Sequence, residues 1–512
     1  MGNFSEHLRG RSHERTGPTW RLRCLPVRLK AGTARVGVSA VLLMAACSGE
    51  STGGGDAERA TIAAPPSGAV TTALGTTTIA APTTAPLVIA SVQGTACPVA
   101  AVRPSPSAGV VRINVWNQLA PSSAVALDAL VRQFMADHPN VEIVVTPGKG
   151  RADLDGAGSD RPTLAVLDLG DLVHISAKRS ALPLRTCARA VGLDIPTFIP
   201  VLDAASSFSG DLRVIPAFAS VPVIVFNRQR FAAAGLDPAH PPAVPADLFE
   251  AATKLVSSGA ASTGFAMDSS QAPWVVEDWR LGRGQTVLDP GNGWDGPATE
   301  LAIDDAATAA DLSAVRSAVV TGAAVVLDPS PLGIGPLVRL VDKDHPAGIA
   351  LASSGSLVDV RKAAVATGLD AQLGVAPMPM PRGGTVPGGS GFYLLPAGAQ
   401  ETGAALELLA YVASAQAQVL AASLGPNPPM LPGLATDTQL LSRWAATPEL
   451  RVAYDALVES SGQPALRGIA LEQRDQLRSI EQTLLRETAD GGDPESLLAR
   501  ATDIARTTLR GG

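Results

Sequence analysis

Cysteine, histidine and long apolar runs are all scarce in this 512-residue chain, and each scarcity closes off a class of function. Of the six histidines, His7 and His13 sit near the N-terminus, and His138, His174, His240 and His345 stand far apart. None has a cysteine or histidine at metal-ligand spacing, so no metal is expected. No G-x-S-x-G elbow occurs, because Gly388-Gly389-Ser390-Gly391-Phe392 ends in Phe where the second glycine belongs. The chain also has no phosphate-cradling Walker loop, and no G-x-G-x-x-G follows a strand, so no nucleotide cofactor is expected. Basic clusters are missing beyond the first 35 residues and the net charge is -7, which leaves a nucleic-acid backbone nothing to bind. These absences argue against an enzyme and for a binding protein without cofactors.

The longest early apolar run, Val36 to Ala46, is about half of what a membrane-spanning helix needs, and Arg21, Arg23, Arg28, Lys30 and Arg35 precede it. This is the pattern of an export signal over 1–46. The run closes Leu43-Met44-Ala45-Ala46-Cys47, which resembles a bacterial lipoprotein box, so Cys47 is the expected lipidation site and the membrane anchor. Of the four cysteines, Cys24 leaves with the leader and Cys47 takes the lipid. Cys97 and Cys187 remain, an even pair that fits one disulfide, with two free thiols as the alternative. Such a bond is worth roughly 3 to 4 kcal/mol in the chain-entropy model.

Residues 47–108 are dominated by Ser, Thr, Gly, Ala and Pro, as in Thr71-Thr72-Ala73-Leu74-Gly75, and read as a disordered spacer. Folded sequence begins with an apolar run over 110–116. The helical spacing of Leu127, Leu130, Val131 and Phe134 predicts a helix over 124–138, and Pro139 stops it before a strand over 141–145. A third strand over 163–167 ends at Asp168. Further strands are expected over 221–226, 319–327 and 374–376, with a helix over 246–256 and a helical hairpin over 475–509 broken at Gly491-Gly492-Asp493-Pro494. Alternating strand and helix give an α/β fold.

Taken in order, several segments carry a resemblance. Val115-Trp116-Asn117 is followed by the helix ending Phe134-Met135-Ala136-Asp137-His138-Pro139. Next comes Phe226-Asn227-Arg228-Gln229-Arg230-Phe231-Ala232-Ala233-Ala234-Gly235-Leu236-Asp237-Pro238, and then Ser353-Ser354-Gly355-Ser356-Leu357, Gly374-Val375-Ala376-Pro377 and Gly388-Gly389 before Phe392-Tyr393. Together they resemble bacterial extracellular solute-binding proteins of the maltose-binding-protein-like class, most nearly the glycerol-3-phosphate-binding subunits of ABC importers.

The resemblance implies a two-lobed, type II periplasmic-binding fold with a ligand cleft between the lobes and C-terminal helices. Lobe 1 would comprise 109–222 plus 388–424, and lobe 2 would comprise 223–387 plus 425–512. It implies ligand contacts from Trp116, Asn117, Asp168, Trp274, Ser354, Gly355, Ser356, Gly388, Gly389 and Asn427, with Trp279 as an alternative to Trp274. Its expected partners are a small polar solute and permease subunits, its expected place is the outer face of the membrane, and its expected state is a monomer. Ala470 stands where the family carries an arginine that grips phosphate, so phosphate recognition is not expected unless Arg467 or Arg474 substitutes. A neutral polyol, a sugar or a glycerophosphodiester is the expected ligand. The competing readings are a transport-inactive sensor or scaffold of the same fold, and a secreted glycan-active enzyme.

Overall fold

The computed structural model describes residues 96–105, 109–369 and 372–510. The leader, Cys47 and the spacer up to residue 95 lie outside the described residues. Residues 96–105, within the stretch read as spacer, lie against folded chain. Cys97 is disulfide-bonded to Cys187, Val102 N–H donates to Ala399 O at 2.8 Å, and Arg103 pairs with Glu407 at 2.6 Å.

Two five-stranded sheets organise the molecule. The first runs Val141–Pro147, Val111–Asn117, Leu164–Asp168, Gly388–Leu394, Val214–Ser220. Its first three strands are parallel, and Gly388–Leu394 lies antiparallel between Leu164–Asp168 and Val214–Ser220. The second runs Ala324–Leu327, Thr263–Asp268, Ala347–Ser353, Pro222–Asn227, Leu373–Pro377, with Pro222–Asn227 antiparallel to both neighbours. This is the α/β, two-lobed, type II architecture anticipated above. Only Val221 separates Val214–Ser220 in one sheet from Pro222–Asn227 in the other, so the lobes are joined by a one-residue crossing.

The local reasons are readable. In Val111–Asn117 every second residue is buried, the period-two signature of a strand with one face on the core. All seven residues of Val214–Ser220 are buried, as expected of a strand covered on both faces. The first helix spans Pro121–Asp137 and starts earlier than its apolar spacing suggested, because Pro121 presets the helical φ at the first position. Leu127, Leu130, Val131 and Phe134 are buried on its core side.

One expected strand needs correction. Val319 and Val320 close the helix Ala306–Val320, and only Ala324–Leu327 is strand. Gly322, at φ +73, provides the left-handed residue that ends the helix between them. The C-terminal hairpin forms as Arg474–Ala489 and Pro494–Arg510, with the Asp493 carboxylate accepting from Ser496 N–H at 3.1 Å.

Helix Pro245–Ser257 packs on strand Thr263–Asp268 at Gly264, where an added Cβ would stand 2.1 Å from the Ala252 carbonyl oxygen. Both sides of that contact are backbone. Gly264→Val is therefore expected to cost about 3 kcal/mol or more, read as a large fall in thermal midpoint, whereas Gly462→Ala, at an open position without positive φ, should cost far less.

Candidate functional site

The ends of the strands from both sheets face one another across a cleft of about 390 Å³. The first lobe supplies Asp168 to Gly170, the second supplies Trp274, Glu277 and Asp278, and the lining also includes Ser220 to Pro222 at the crossing and Val386 to Gly389, where the chain returns to the first sheet. A C-terminal loop, Arg467 to Ala470, and the head of the Arg474–Ala489 helix complete the wall.

Asp168 ends its strand and does two things at once. Its Oδ1 accepts from Gly170 N–H at 2.8 Å, closing the turn, and from Arg474 Nη1 at 2.6 Å. The Tyr393 hydroxyl, fully buried, donates to the Asp168 carbonyl at 2.8 Å and fixes that turn from behind. A Cβ on Gly170 would fall 1.6 Å from Arg474 Nη1, so a side chain there would displace the guanidinium from Asp168. Arg151 pairs with Asp171 and Asp475, and Lys178 pairs with Glu472, so residues 472, 474 and 475 are each bonded to the first lobe.

On the opposite wall, residues Trp274–Asp278 form a turn of π-helix. The wider turn presents Trp274, Glu277 and Asp278 to the cleft, while Val275, Val276 and Trp279 pack inward. Trp279 belongs to the core, where its indole N–H donates to Pro379 O at 2.9 Å.

The charges beneath Trp274 are unbalanced. Arg478 bonds both Glu277 and Glu481; burial pulls its pKa down, but the two carboxylates outweigh burial and hold the guanidinium firmly protonated. Asp278 is buried with no hydrogen-bond partner for Oδ2 among the described residues. Burial, reinforced by the negative charge of Glu277, pushes its carboxyl well above the ordinary 3.8. Glu481 is pushed up in the same way, by burial first and Glu277 second.

Of the residues singled out from sequence, Asp168, Trp274, Gly388 and Gly389 line this cleft together. Gly389 adopts φ +89, and its missing side chain would meet the Phe218 carbonyl at 2.3 Å. The others lie elsewhere. Ser354 is buried in the hinge, its Oγ accepting from Val221 N–H at 3.0 Å and its N–H donating to Val221 O at 2.9 Å. Its neighbour Ser353 faces the cleft instead. Gly355 packs beside Ser220, and Ser356 precedes the helix Leu357–Thr367. Asn427 is buried between Ser123 Oγ, 2.7 Å away, and Ala219 O, 3.0 Å away. Asn117 is buried and accepts from Leu119 N–H, and Trp116 lies under Lys149. The next residue, Gln118, lines a second polar hollow of about 360 Å³ that shares Asp168 and Arg474 with the cleft.

Sequence reasoning did not single out Glu277, Asp278, Trp294 or Arg478, although two acids inside the apolar stretch 272–281 were a visible anomaly.

The Asp278 carboxyl sets a pH signature. Its folded pKa exceeds its unfolded one, so above pH 3.8 the unfolded chain releases a proton that the folded chain keeps, and stability falls as pH rises through the window up to the folded value. Asp278→Asn is expected to stabilise the ligand-free protein by about 1 kcal/mol at neutral pH and by less near pH 4, measured as thermal midpoint against pH.

The family model for bacterial extracellular solute-binding proteins matches residues 120–419. The sn-glycerol-3-phosphate-binding periplasmic protein UgpB of Escherichia coli K12 is 28% identical over 199 residues, which is 36% of this chain and 44% of that protein. The chain thus spans less than half the length of that relative in the match. Among solved structures, UgpB of Mycobacterium tuberculosis in complex with glycerophosphocholine superposes with a TM-score of 0.63 at 19% identity, covering 79% of this chain and 99% of that one. A solute-binding protein of Agrobacterium radiobacter in complex with ribitol gives 0.59 at 18%, covering 78% and 99%. With the two sheets, the crossings and the shared cleft in place, and more than half of the sequence matched, the chain belongs to the bacterial extracellular solute-binding proteins.

Proposed function

We propose that this protein captures a small polar solute in the cleft, closes its lobes over it and delivers it to the permease of an ABC importer, without chemical conversion. One observation carries the reading: a polar cleft whose walls come from both sheets and whose lining includes Ser220 to Pro222 and Val386 to Gly389, where the chain passes between the sheets. The solute is a sugar, a polyol or a glycerophosphodiester. UgpB of E. coli is named for glycerol-3-phosphate, and the relatives solved with glycerophosphocholine and ribitol share the fold.

In this reading Trp274 offers a flat face for the ligand's apolar side, Asp168 accepts hydroxyl groups, and Gly388 and Gly389 let the ligand approach backbone. Ser354 and Asn427 serve the hinge. The lobes are 109–222 plus 388–424 and 223–387 plus 425–512; the strands up to Ser220 and Gly388–Leu394 share one sheet and those from Pro222 to Pro377 the other, which supports the division over those stretches. The chain works as a monomer on the outer face of the membrane, held by lipid on Cys47 through the spacer.

Screening sugars, polyols and glycerophosphodiesters by thermal shift tests the capture reading. A true ligand at 100 times its Kd should stabilise the protein by about 2.7 kcal/mol, and Trp274→Ala should weaken its binding about tenfold, near 1.4 kcal/mol. Hydrolysis of a chromogenic glycoside would refute it. Cys47→Ser is expected to move the chain from the membrane fraction to the culture medium.

A further inference from the structure

Most of the cations around the cleft are already committed. Arg474 is bonded to Asp168, Arg478 to Glu277 and Glu481, Arg151 to Asp171 and Asp475, and Lys178 to Glu472. Arg467 differs. It lines the cleft, half-buried, and has no ion pair or hydrogen bond from its side chain among the described residues. Asp295 is felt electrostatically but makes no ion pair with it.

Arg467 is nonetheless held in place. Its guanidinium lies over the Trp294 ring, 4.5 Å from the centroid. The loop that carries it is clamped to the turn Gly291–Gly293: the Trp294 indole N–H donates to Gly468 O at 2.9 Å, and Ala470 N–H donates to Asn292 O at 2.8 Å. Gly293 approaches so closely that a Cβ would stand 1.9 Å from the Ala470 carbonyl oxygen. Asn292 is fixed in turn, its Oδ1 accepting from Val287 N–H at 2.6 Å and Leu288 N–H at 3.1 Å.

Stacking on an indole orients a guanidinium through one face and leaves its charge and its in-plane N–H donors unspent. A rigidly mounted cation partly stripped of water, with no ion pair among the described residues, is suited to an anion that arrives with the ligand.

We propose that Arg467, stacked on Trp294, is the charge-specificity residue of the cleft, and that the captured solute carries an oxyanion, phosphoryl or carboxylate, which takes the edge of this guanidinium. The proposal rests on the capture reading above and narrows it: of the sugar, polyol and glycerophosphodiester classes, it selects the anion-bearing one. Arg474, the other candidate, is spent on the first lobe.

The test is calorimetric titration of the mature protein with four probes: sn-glycerol-3-phosphate, glycerophosphocholine, gluconate and ribitol. The expected result is binding of at least one of the three oxyanion-bearing probes. That binding should weaken about tenfold or more in Arg467→Gln, less in Arg467→Lys, and progressively as sodium chloride is raised. The phosphoryl and carboxylate probes then identify which oxyanion is taken. Circular dichroism and the thermal midpoint of Arg467→Gln, both expected near wild type, separate lost recognition from lost fold. Binding of ribitol alone, equal in wild type and Arg467→Gln, overturns this proposal and leaves the capture reading standing. Binding of an oxyanion-bearing probe that Arg467→Gln does not alter also overturns it. If no probe binds and the wider solute screen is equally silent, both fall together.

Discussion

The molecule is organised by a single residue of chain. Val221 leaves one sheet and enters the other with no slack, so both sheets must end at the same place, and their polar strand ends must face one another. The crossing is reinforced where it is thinnest. Ser354 bonds the Val221 backbone in both directions, and Asn427 reaches the carbonyl of Ala219 just before it. Buried side-chain bonds to backbone of this sort are costly to leave unmade, which makes the crossing a fixed junction rather than a loose link. Ser220 and Pro222 on either side of it line the cleft, so hinge and binding wall are continuous.

Electrostatics then decides how the two walls meet. The head of the last-but-one helix places Glu472, Arg474 and Asp475 against Lys178, Asp168 and Arg151 of the first lobe, a row of pairs along one rim of the cleft. Exposed pairs of this kind contribute little singly, roughly 0 to 1 kcal/mol each, and more when they form or break as a set. Beneath the other wall one guanidinium, Arg478, serves two carboxylates, and Asp278 goes without. Buried unpartnered groups concentrate at functional sites because function, not stability, retains them.

Much of the architecture was legible in the sequence, since period-two and period-3.6 apolar patterns mark strands and helices without reference to the rest of the fold. Leu127, Leu130, Val131 and Phe134 announced their helix, and Asp168 at a strand end announced a place on the cleft. What was not legible depended on facing. Ser353 and Ser354 are adjacent, yet one looks into the cleft and the other into the hinge. Trp274 faces the cleft and Trp279 the core, and local sequence does not signal the wider turn that begins at Trp274. Trp294 and Arg467 are far apart in the chain and meet only through tertiary contact between two loops. The apolar run at 319–327 misled because the left-handed Gly322 inside it was not given weight as a stop.

The way the N-terminal segment is fastened has a mechanical consequence. Cys97, Val102 and Arg103 attach to Cys187, Ala399 and Glu407, all on helices that flank the first sheet. Any pull transmitted along the chain from upstream is therefore borne by the first lobe alone. The second sheet meets the first through the chain at Val221 and again before Gly388–Leu394, at a distance from those attachments.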